Sequence, residues 1–381
     1  MRGGVLLTSR REWLQSLTVA APAMAAAAQS TPRSGLRMKI TRFESFPVRV
    51  PFHPRLRDNF IESFRKQNRP QTTFDSTMVR LHTDAGLAGV AESTSSPAAT
   101  RAVLERMIGR SPWEFALDDS IGGILIAVYD LMGQAAGVPV AKLFAANPAG
   151  RIVQTWWSHC FRPPLMQAEA RLAAESGYRV HKVKARPWED PIEHAAVISA
   201  VVPSDYRVWF DANSSWGSPG RTLDFARELK KYPIVFGLET PIPIGNTEGY
   251  RQLRGRLGLR LADHMEGLNA LSCIREAILD AFIVGAPRLG RAMLAKAALG
   301  EMFGVRLWVE NGINTGISQV FQAHQAAAFP AVEFCISITH TLEDDLTREP
   351  FLMQGGFYHL PRGPGLGVTL DDQAVDKYRT G

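Results

Sequence analysis

The 381-residue chain has few cysteines, no long apolar run in its body and no basic cluster. Its three cysteines, Cys160, Cys273 and Cys335, are odd in number and far apart, which excludes a disulfide framework and a Cys-x-x-Cys metal site. After residue 30, no stretch reaches the ~20 apolar residues of a membrane span. The formal charge is +6 without a long run of lysines and arginines, so nucleic acid is not an expected partner.

The N-terminus has the features of an export signal. Residues 9–15 contain the pair Arg10 and Arg11 and resemble the twin-arginine signal. A weakly apolar stretch, 17–28, follows and ends in alanines that suit an A-x-A cleavage site. We therefore expect residues 1–30 to be a signal segment and the folded protein to be exported to the periplasm.

The rest of the chain divides into two regions with different sequence patterns. Residues 38–148 read as antiparallel strands followed by helices, which is an α+β arrangement. The polar stretch 52–73 within it is predicted to be a loop whose basic side chains form a lid over an anionic substrate: His53, Arg55, Arg57, Arg65, Lys66 and Arg69. From residue 150 to 345, apolar strands alternate with helices, which predicts a parallel α/β barrel of the (β/α)8 type. Its strands are predicted at 152–158, 178–185, 206–213, 234–239, 259–263, 281–284, 305–310 and 332–337. Residues 346–381 are expected to return to the first domain.

Acidic residues recur at the ends of successive predicted strands. Asp211, Glu239 and Asp263 each close an apolar run and lie 28 and 24 residues apart, and Lys184 precedes Asp211 by 27 residues. One strand-plus-helix unit of such a barrel takes roughly 30 residues, so these groups meet where barrel active sites are built. Three carboxylates there predict a site for Mg²⁺ or Mn²⁺, and Lys182 and Lys184 predict a proton-abstracting arm.

These landmarks, in this order, resemble the enolase superfamily and specifically its mandelate racemase and muconate lactonizing branch. The quoted motifs are VRLHTDAGLAGVAES, AVYDLMGQAAGVPVAKLF, the lysine pair of HKVKAR, then DAN, LET, LAD, ENGI and GPGLGVTLD. The resemblance implies a modified (β/α)7β barrel with an α+β capping domain, and a homo-oligomer. It also implies that Asp211, Glu239 and Asp263 hold Mg²⁺, which binds a small carboxylate substrate.

In that scheme a lysine removes the proton next to the substrate carboxylate. A free lysine has a pKa of about 10.4, so the second ammonium and the nearby dication are expected to lower it. Lys184 is predicted to be the base because it is the last inward-pointing residue of its strand. Three further residues are candidates for substrate binding, each with a structural alternative: Asn213 (a turn), His264 (packing behind the site) and Glu310 (an ion pair).

The resemblance is incomplete on the opposite side of the substrate. Relatives that racemise or cycloisomerise commonly carry a second base on the sixth or seventh strand, where this chain has Gly285 and Glu310. A missing second base favours one-sided chemistry, and we expect dehydration of a sugar acid. The alternatives are a cycloisomerase, an epimerase or racemase, and a metal-binding protein that has lost turnover.

Overall fold

The computed structural model describes residues 37–69, 71–265, 270–285, 289–351 and 353–380. The predicted export signal, residues 1–30, lies outside this part of the chain. Among the described residues, no helix combines the length and the apolar character that crossing a membrane would need.

The first domain is a three-stranded antiparallel sheet with helices packed on it. The strands β1 (Ile40–Pro51), β2 (Thr73–Thr83) and β3 (Ala88–Ser93) lie in sequence order. The helices are α1 (Pro54–Lys66), α2 (Pro97–Met107), α3 (Leu125–Ala136) and the short α4 (Ala141–Phe144).

The expectation of a loop at 52–73 is wrong, because α1 occupies most of it. Pro54 stands in the first turn, where a missing N–H costs nothing, and the His53 side chain accepts a hydrogen bond from the Arg55 N–H. Leu56 and Phe60, four residues apart, are buried on one face. Two arginines of the predicted basic lid form ion pairs within the protein: Arg55 pairs with Glu169, and Arg57 pairs with Glu343. These two charges already have acidic partners within the protein.

The second domain is a closed parallel barrel. Its eight strands are β4 (Arg151–Ser158), β5 (Val180–Lys184), β6 (Arg207–Asp211), β7 (Val235–Glu239), β8 (Arg260–His264), β9 (Ala281–Gly285), β10 (Arg306–Glu310) and β11 (Val332–Ser337). Each pairs with the next, and β11 pairs with β4 to close the ring. Seven described helices follow the first seven strands: α5 (Pro163–Glu175), α6 (Pro191–Ser199), α7 (Pro219–Leu229), α8 (Thr247–Leu253), α9 (Ala270–Arg275), α10 (Arg291–Phe303) and α11 (Gly316–Ala328). A single 3-10 turn, Thr339–Thr341, follows β11, so the predicted (β/α)7β barrel is confirmed.

Helix starts in the barrel are fixed by local sequence. Pro163, Pro191 and Pro219 occupy the first turn of α5, α6 and α7, a position that suits their fixed φ. The side chains of Asp190 and Ser218 accept hydrogen bonds from the first-turn N–H groups of α6 and α7. The connections from strand to helix are therefore short, and the residues at the strand ends are held in place.

Large aromatic side chains fill the middle of the barrel. Trp209 and Trp308 are fully buried with ring centroids 4.8 Å apart, and Phe334 lies 5.7 Å from Trp209 and 5.6 Å from Trp308. Trp209 and Asp211 are two residues apart on β6 and therefore point to the same side of the strand. The polar groups at the strand ends thus stand on an aromatic floor, which we call the Trp209–Trp308 floor.

The C-terminal segment contacts both domains. A hairpin of β12 (Met353–Gln354) and β13 (Phe357–His359) extends the barrel sheet, because β13 runs antiparallel to the first residues of β4. Helix α12 (Asp372–Tyr378) packs against β1, and the Thr380 N–H donates to the Pro47 carbonyl at 2.8 Å. The buried Asp130 of α3 accepts hydrogen bonds from the N–H groups of Val90 and Leu366, which ties this segment to the first domain.

Candidate active site

The barrel register brings the lysine arm and two of the predicted metal ligands side by side. Lys184 pairs with Asp211, and Asp211 pairs with Glu239, across the C-terminal ends of β5, β6 and β7. Glu310 ends β10 and reaches the same space from across the barrel. Asp211 and Glu239 are fully buried, whereas 19% of the Glu310 side chain is exposed. Polar groups from four strands thus converge above the Trp209–Trp308 floor.

Lys182 lies at the centre of these carboxylates. Its Nζ is 2.7 Å from Glu239 Oε1 and 3.1 Å from Asp211 Oδ2, and it donates to Glu310 Oε2. Burial alone would lower the pKa of Lys182, but the three carboxylates outweigh burial and raise it above its usual value. Lys182 therefore keeps its proton in this arrangement.

Lys184 stands one step nearer the mouth of the barrel. It donates to Asp211 Oδ2, and its Nζ is 3.8 Å from Glu310 Oε1. Its side chain is 10% exposed, whereas that of Lys182 is fully buried. Of the two lysines, Lys184 is therefore the one that a bound molecule can approach.

The three carboxylates differ in how strongly they hold a proton. Burial would raise the pKa of Asp211 and of Glu310, but the nearby lysines outweigh it, so the pKa of Asp211 is lowered and that of Glu310 falls to about 2. The pKa of Glu239 is raised, first by burial and then by the negative charge of Asp211. Trp209, which sequence analysis missed, donates its Nε1–H to Glu239 Oε2 at 2.9 Å and orients that carboxylate.

Asp263, the third predicted metal ligand, is not drawn into this cluster. Its Oδ1 accepts hydrogen bonds from Thr240 Oγ1 at 2.8 Å and from the His264 N–H at 2.7 Å. Its Oδ2 is buried and has no hydrogen-bond partner among the described residues. Burial raises the pKa of Asp263, and the surrounding hydrogen-bond donors offset this only in part.

His264 occupies the interior place beside Glu239. Side chains alternate along a strand, and Ala262 pairs with Glu239, so His264 points to the side of β8 opposite to Asp263. Single ligand atoms of Glu239, His264 and Glu310 all lie within 4.8 Å of one another, close enough to hold a metal ion together. His264 Nε2 is 3.7 Å from Glu239 Oε1. The structure thus brings His264 to the cluster, while Asp263 faces the other side of β8.

The donor set suits a hard divalent cation. Magnesium prefers carboxylate oxygens, and Asp211 and Glu239 supply them side by side. A positive charge already stands between these carboxylates in the form of the Lys182 ammonium. Single ligand atoms of His264 and Glu310 lie close enough to Glu239 to complete such a site. On these observations the residues fit a bound cation.

Asn213 forms the turn that follows β6. Asn213 and Ser214 have φ values of 42° and 67°, a left-handed conformation that asparagine tolerates well. The Asn213 N–H donates to Asp211 Oδ1 at 2.9 Å, which fixes that carboxylate from below the mouth. The buried side-chain oxygen of Asn213 has no partner among the described residues. Asn213 thus has the structural role in a turn that was the alternative to substrate binding. Its amide oxygen is still available to a ligand.

His159, just beyond the end of β4, was not predicted. It is buried, its Nδ1 accepts from the Cys160 N–H at 2.8 Å, and its Nε2 lies 3.0 Å from the Gln67 amide nitrogen after α1. Burial, and then the charges of Arg186 and Lys184, lower the pKa of His159 to about 3, so the ring is neutral. The sequence does show His159 as a polar residue at the end of a predicted strand. It was not singled out because it does not belong to the series of regularly spaced acidic residues.

The backbone at Gly285 leaves no room for a side chain at the place where the family resemblance implies a second base. Gly285 has a φ of 138°, and a Cβ built on it would lie 2.2 Å from the Glu310 carbonyl oxygen. An added side chain would therefore strain the backbone and press β9 away from β10. The absence of a base on this strand is thus a consequence of how these two strands meet.

Comparison with known proteins identifies the family of the chain. The sequence model of the family described as "Enolase C-terminal domain-like" matches residues 165–374, which is more than half of the chain. The chain belongs to the enolase superfamily. Its relatives place it in the mandelate racemase and muconate lactonizing branch, as the motifs predict. It is an enzyme of this superfamily, whose named relatives are lyases and isomerases, and whose members generally bind Mg²⁺.

Two curated relatives illustrate the range of this superfamily. The chain is 21% identical over 349 residues to D-gluconate dehydratase of Thermoproteus tenax, covering 80% of this chain and 70% of the relative. It is 25% identical over 305 residues to chloromuconate cycloisomerase CbnB of Cupriavidus necator, covering 76% and 79%. The fold matches the crystal structure of N-succinyl Arg/Lys racemase from Bacillus cereus ATCC 14579, with a TM-score of 0.73 at 19% identity over 90% of this chain and 98% of that one.

The strand contact at Gly285 can be tested through stability. Gly285→Ala should lower the free energy of unfolding by about 2–4 kcal/mol more than Gly217→Ala. Gly217 is a matched control because its φ is also positive, at 75°, while nothing lies within 4 Å of an added Cβ. Denaturant unfolding of both variants measures the difference. Equal losses in the two variants would show that β9 and β10 can separate without cost.

Proposed function

We propose that this enzyme removes the proton next to a substrate carboxylate with the aid of bound Mg²⁺, and that it dehydrates a sugar acid. Mn²⁺ is an acceptable substitute for Mg²⁺ because it favours the same oxygen ligands. The observation that carries the proposal is the lysine pair held against buried carboxylates at the mouth of the barrel. Similarity to D-gluconate dehydratase supports the choice of reaction.

The proposed metal ligands are Asp211, Glu239 and Asp263. The adjacent carboxylates of Asp211 and Glu239 support the first two. Asp263 is proposed as the third from its sequence spacing and the family resemblance, although its side chain faces the other side of β8. His264 is the competitor for the third position because of its distance to Glu239. When bound, the dication would stabilise the negative charge that develops on the substrate carboxylate as the α-proton leaves.

Lys184 is the proposed base. Its partly exposed Nζ takes the α-proton, and Asp211 holds the ammonium that results. The electron pair of the broken C–H bond forms a double bond to the β-carbon as the β C–O bond breaks. The same Lys184 proton leaves with the β-hydroxyl as water, and the enol product rearranges to a 2-keto-3-deoxy acid. Lys182 stays protonated among its three carboxylates and takes no proton from the substrate.

Two features disfavour racemisation. Gly285 has no side chain to deliver a proton to the far face. Glu310 is ionised near neutral pH because its pKa is about 2, so it is a poor proton donor and is better suited to accept a hydrogen bond from a substrate hydroxyl. Cycloisomerisation is the second candidate, because chloromuconate cycloisomerase is a relative at 25% identity. If the chain were a metal-binding protein that has lost turnover, the accessible Lys184 would have no catalytic role.

Metal binding tests the ligand set. Asp211→Asn and Asp263→Asn should each weaken Mg²⁺ binding at least about tenfold, because each removes a charged oxygen ligand. His264→Asn is the matched comparison, and we expect its affinity to stay within about threefold of the wild type. Titration calorimetry measures the affinities, and circular dichroism checks the fold. Weak binding in His264→Asn with full affinity in Asp263→Asn would assign the third position to His264.

Proton exchange tests the base. Lys184→Ala should reduce exchange of the substrate α-proton with deuterated water by about 100-fold or more, the usual contribution of a general base. Lys184→Arg keeps the positive charge but cannot accept a proton at neutral pH, so it should lose exchange as well. Exchange followed by NMR distinguishes the variants. Near wild-type exchange in Lys184→Ala would show that another residue is the base. Near wild-type exchange in Lys184→Arg would show that Lys184 contributes only its positive charge.

The one-sided mechanism predicts a product. Incubation of a panel of sugar acids with the Mg²⁺-loaded enzyme in deuterated water should yield a 2-keto-3-deoxy acid. Substrate recovered from the mixture should keep its configuration at the α-carbon, because no group on the far face supplies a proton. NMR identifies both species. Recovered substrate that is inverted and deuterated would reveal a second acid and refute the one-sided reaction.

A further inference from the structure

The two oxygens of the Glu239 carboxylate have different surroundings. Oε1 faces the lysine and carboxylate cluster, because it lies 2.7 Å from Lys182 Nζ and 3.7 Å from His264 Nε2. Oε2 accepts a hydrogen bond from the Trp209–Trp308 floor, where Trp209 Nε1–H donates to it at 2.9 Å. Trp209 and Glu239 are both fully buried, so water does not compete for this bond. Glu239 therefore presents one oxygen to the cluster and keeps the other on an indole.

The neighbouring carboxylate of Asp211 is divided in the same way. Its Oδ2 lies 3.1 Å from Lys182 Nζ and also accepts a hydrogen bond from Lys184. Its Oδ1 accepts a hydrogen bond from the Asn213 N–H at 2.9 Å. Asp211 and Glu239 thus each direct a single oxygen to the same ammonium group, and a donor that is not a cation holds the other oxygen.

The number of oxygens that a carboxylate can offer affects which cation it suits. Mg²⁺ requires near-ideal octahedral geometry and usually keeps several waters beside one or two carboxylates. Ca²⁺ is larger, takes more oxygens and frequently uses both oxygens of one carboxylate. A cation held by both oxygens of Glu239 would lie close to Oε2, and therefore close to the indole hydrogen, which carries a partial positive charge. The hydrogen bond from Trp209 thus disfavours binding through both oxygens.

We propose that Trp209 is a positioning residue that makes the site prefer Mg²⁺ to Ca²⁺, because it holds Glu239 so that a cation binds through Oε1 alone. The inference rests on the proposed function, since it takes Glu239 to be a ligand of Mg²⁺. Trp209 acts through Glu239 and needs no contact with the substrate or the cation. Its role is the same whether Asp263 or His264 supplies the third ligand.

Trp308 separates this role from the packing of the floor. Its ring is also fully buried, and its centroid lies 4.8 Å from that of Trp209. Its Nε1–H, however, donates to Glu333 Oε2 at 3.1 Å, and Glu333 pairs with Arg260 near the N-terminal ends of β11 and β8. Loss of either indole removes similar packing, whereas only the loss of Trp209 frees an oxygen of Glu239. Trp308→Phe is therefore the matched control.

Titration calorimetry with Mg²⁺ and with Ca²⁺, in the absence of substrate, tests the proposal. The quantity compared is the Kd for Ca²⁺ divided by the Kd for Mg²⁺. We expect the wild type to bind Mg²⁺ more tightly, and this ratio to fall about tenfold in Trp209→Phe, an effect typical of groups that orient metal ligands. In Trp308→Phe the ratio should stay within about threefold of the wild type. A merely structural loss would weaken the binding of both cations together and leave the ratio unchanged.

A measurement on the wild type keeps the proposal testable if circular dichroism shows that Trp209→Phe does not fold. The protein is labelled with ¹⁵N, and the indole N–H signals are followed by NMR. The Trp209 signal is identified as the one that a trace of Mn²⁺ broadens most, because Trp209 contacts the proposed ligand Glu239. Saturation with Mg²⁺ should leave this signal at a hydrogen-bonded chemical shift, since Oε2 stays on the indole.

The outcomes separate this inference from the proposed function. Four results would each overturn the inference while Mg²⁺ binding itself stands: a wild type that prefers Ca²⁺, an unchanged ratio in Trp209→Phe, an equal change in Trp308→Phe, or loss of the indole hydrogen bond on addition of Mg²⁺. Absence of Mg²⁺ binding in the wild type would refute the proposed function, and this inference with it.

Discussion

The buried ammonium of Lys182 is the interaction on which the site depends. Three carboxylates from three other strands surround it, so none of them is buried without a counter-charge. Removing Lys182 or one of its carboxylates would leave a buried charge without a counter-charge. The free-energy cost of that is larger than the stabilisation that a buried ion pair provides. These strands are distant in sequence, and only closure of the barrel brings their ends together. Three carboxyl groups and two lysines meet in this cluster, so the acidic side chains outnumber the basic ones by one.

The remainder of the barrel limits what this cluster can do. The Trp209–Trp308 floor closes the space beneath it, so molecules must approach from the C-terminal mouth. On the far side, the close approach of β9 to the Glu310 carbonyl leaves room only for glycine at position 285. The two lysines stand on one side of the mouth, and Glu310 reaches them from across the barrel. The one-sided chemistry that we propose would follow from this backbone packing as well as from the choice of side chains.

Sequence spacing predicted the parts of the fold that follow a period. Lys184, Asp211 and Glu239 end neighbouring strands because one strand and one helix recur at nearly constant length. The helix α1 was missed because most of its residues are polar, although Leu56, Phe60 and Phe64 recur every four residues on its inner face. At the end of β8, a shift of one residue exchanges the interior and exterior sides, so spacing could not decide between Asp263 and His264.

Two lysines of one strand have different roles because they stand at different depths. Lys182 and Lys184 share a face of β5, yet Lys182 lies among three carboxylates with no exposed surface, whereas Lys184 contacts Asp211 at the rim. Burial would lower the pKa of Lys182, but the surrounding carboxylates outweigh burial and stabilise its charged form. We propose the more exposed Lys184 as the base, because depth along the strand, which the sequence alone does not give, separates the two lysines.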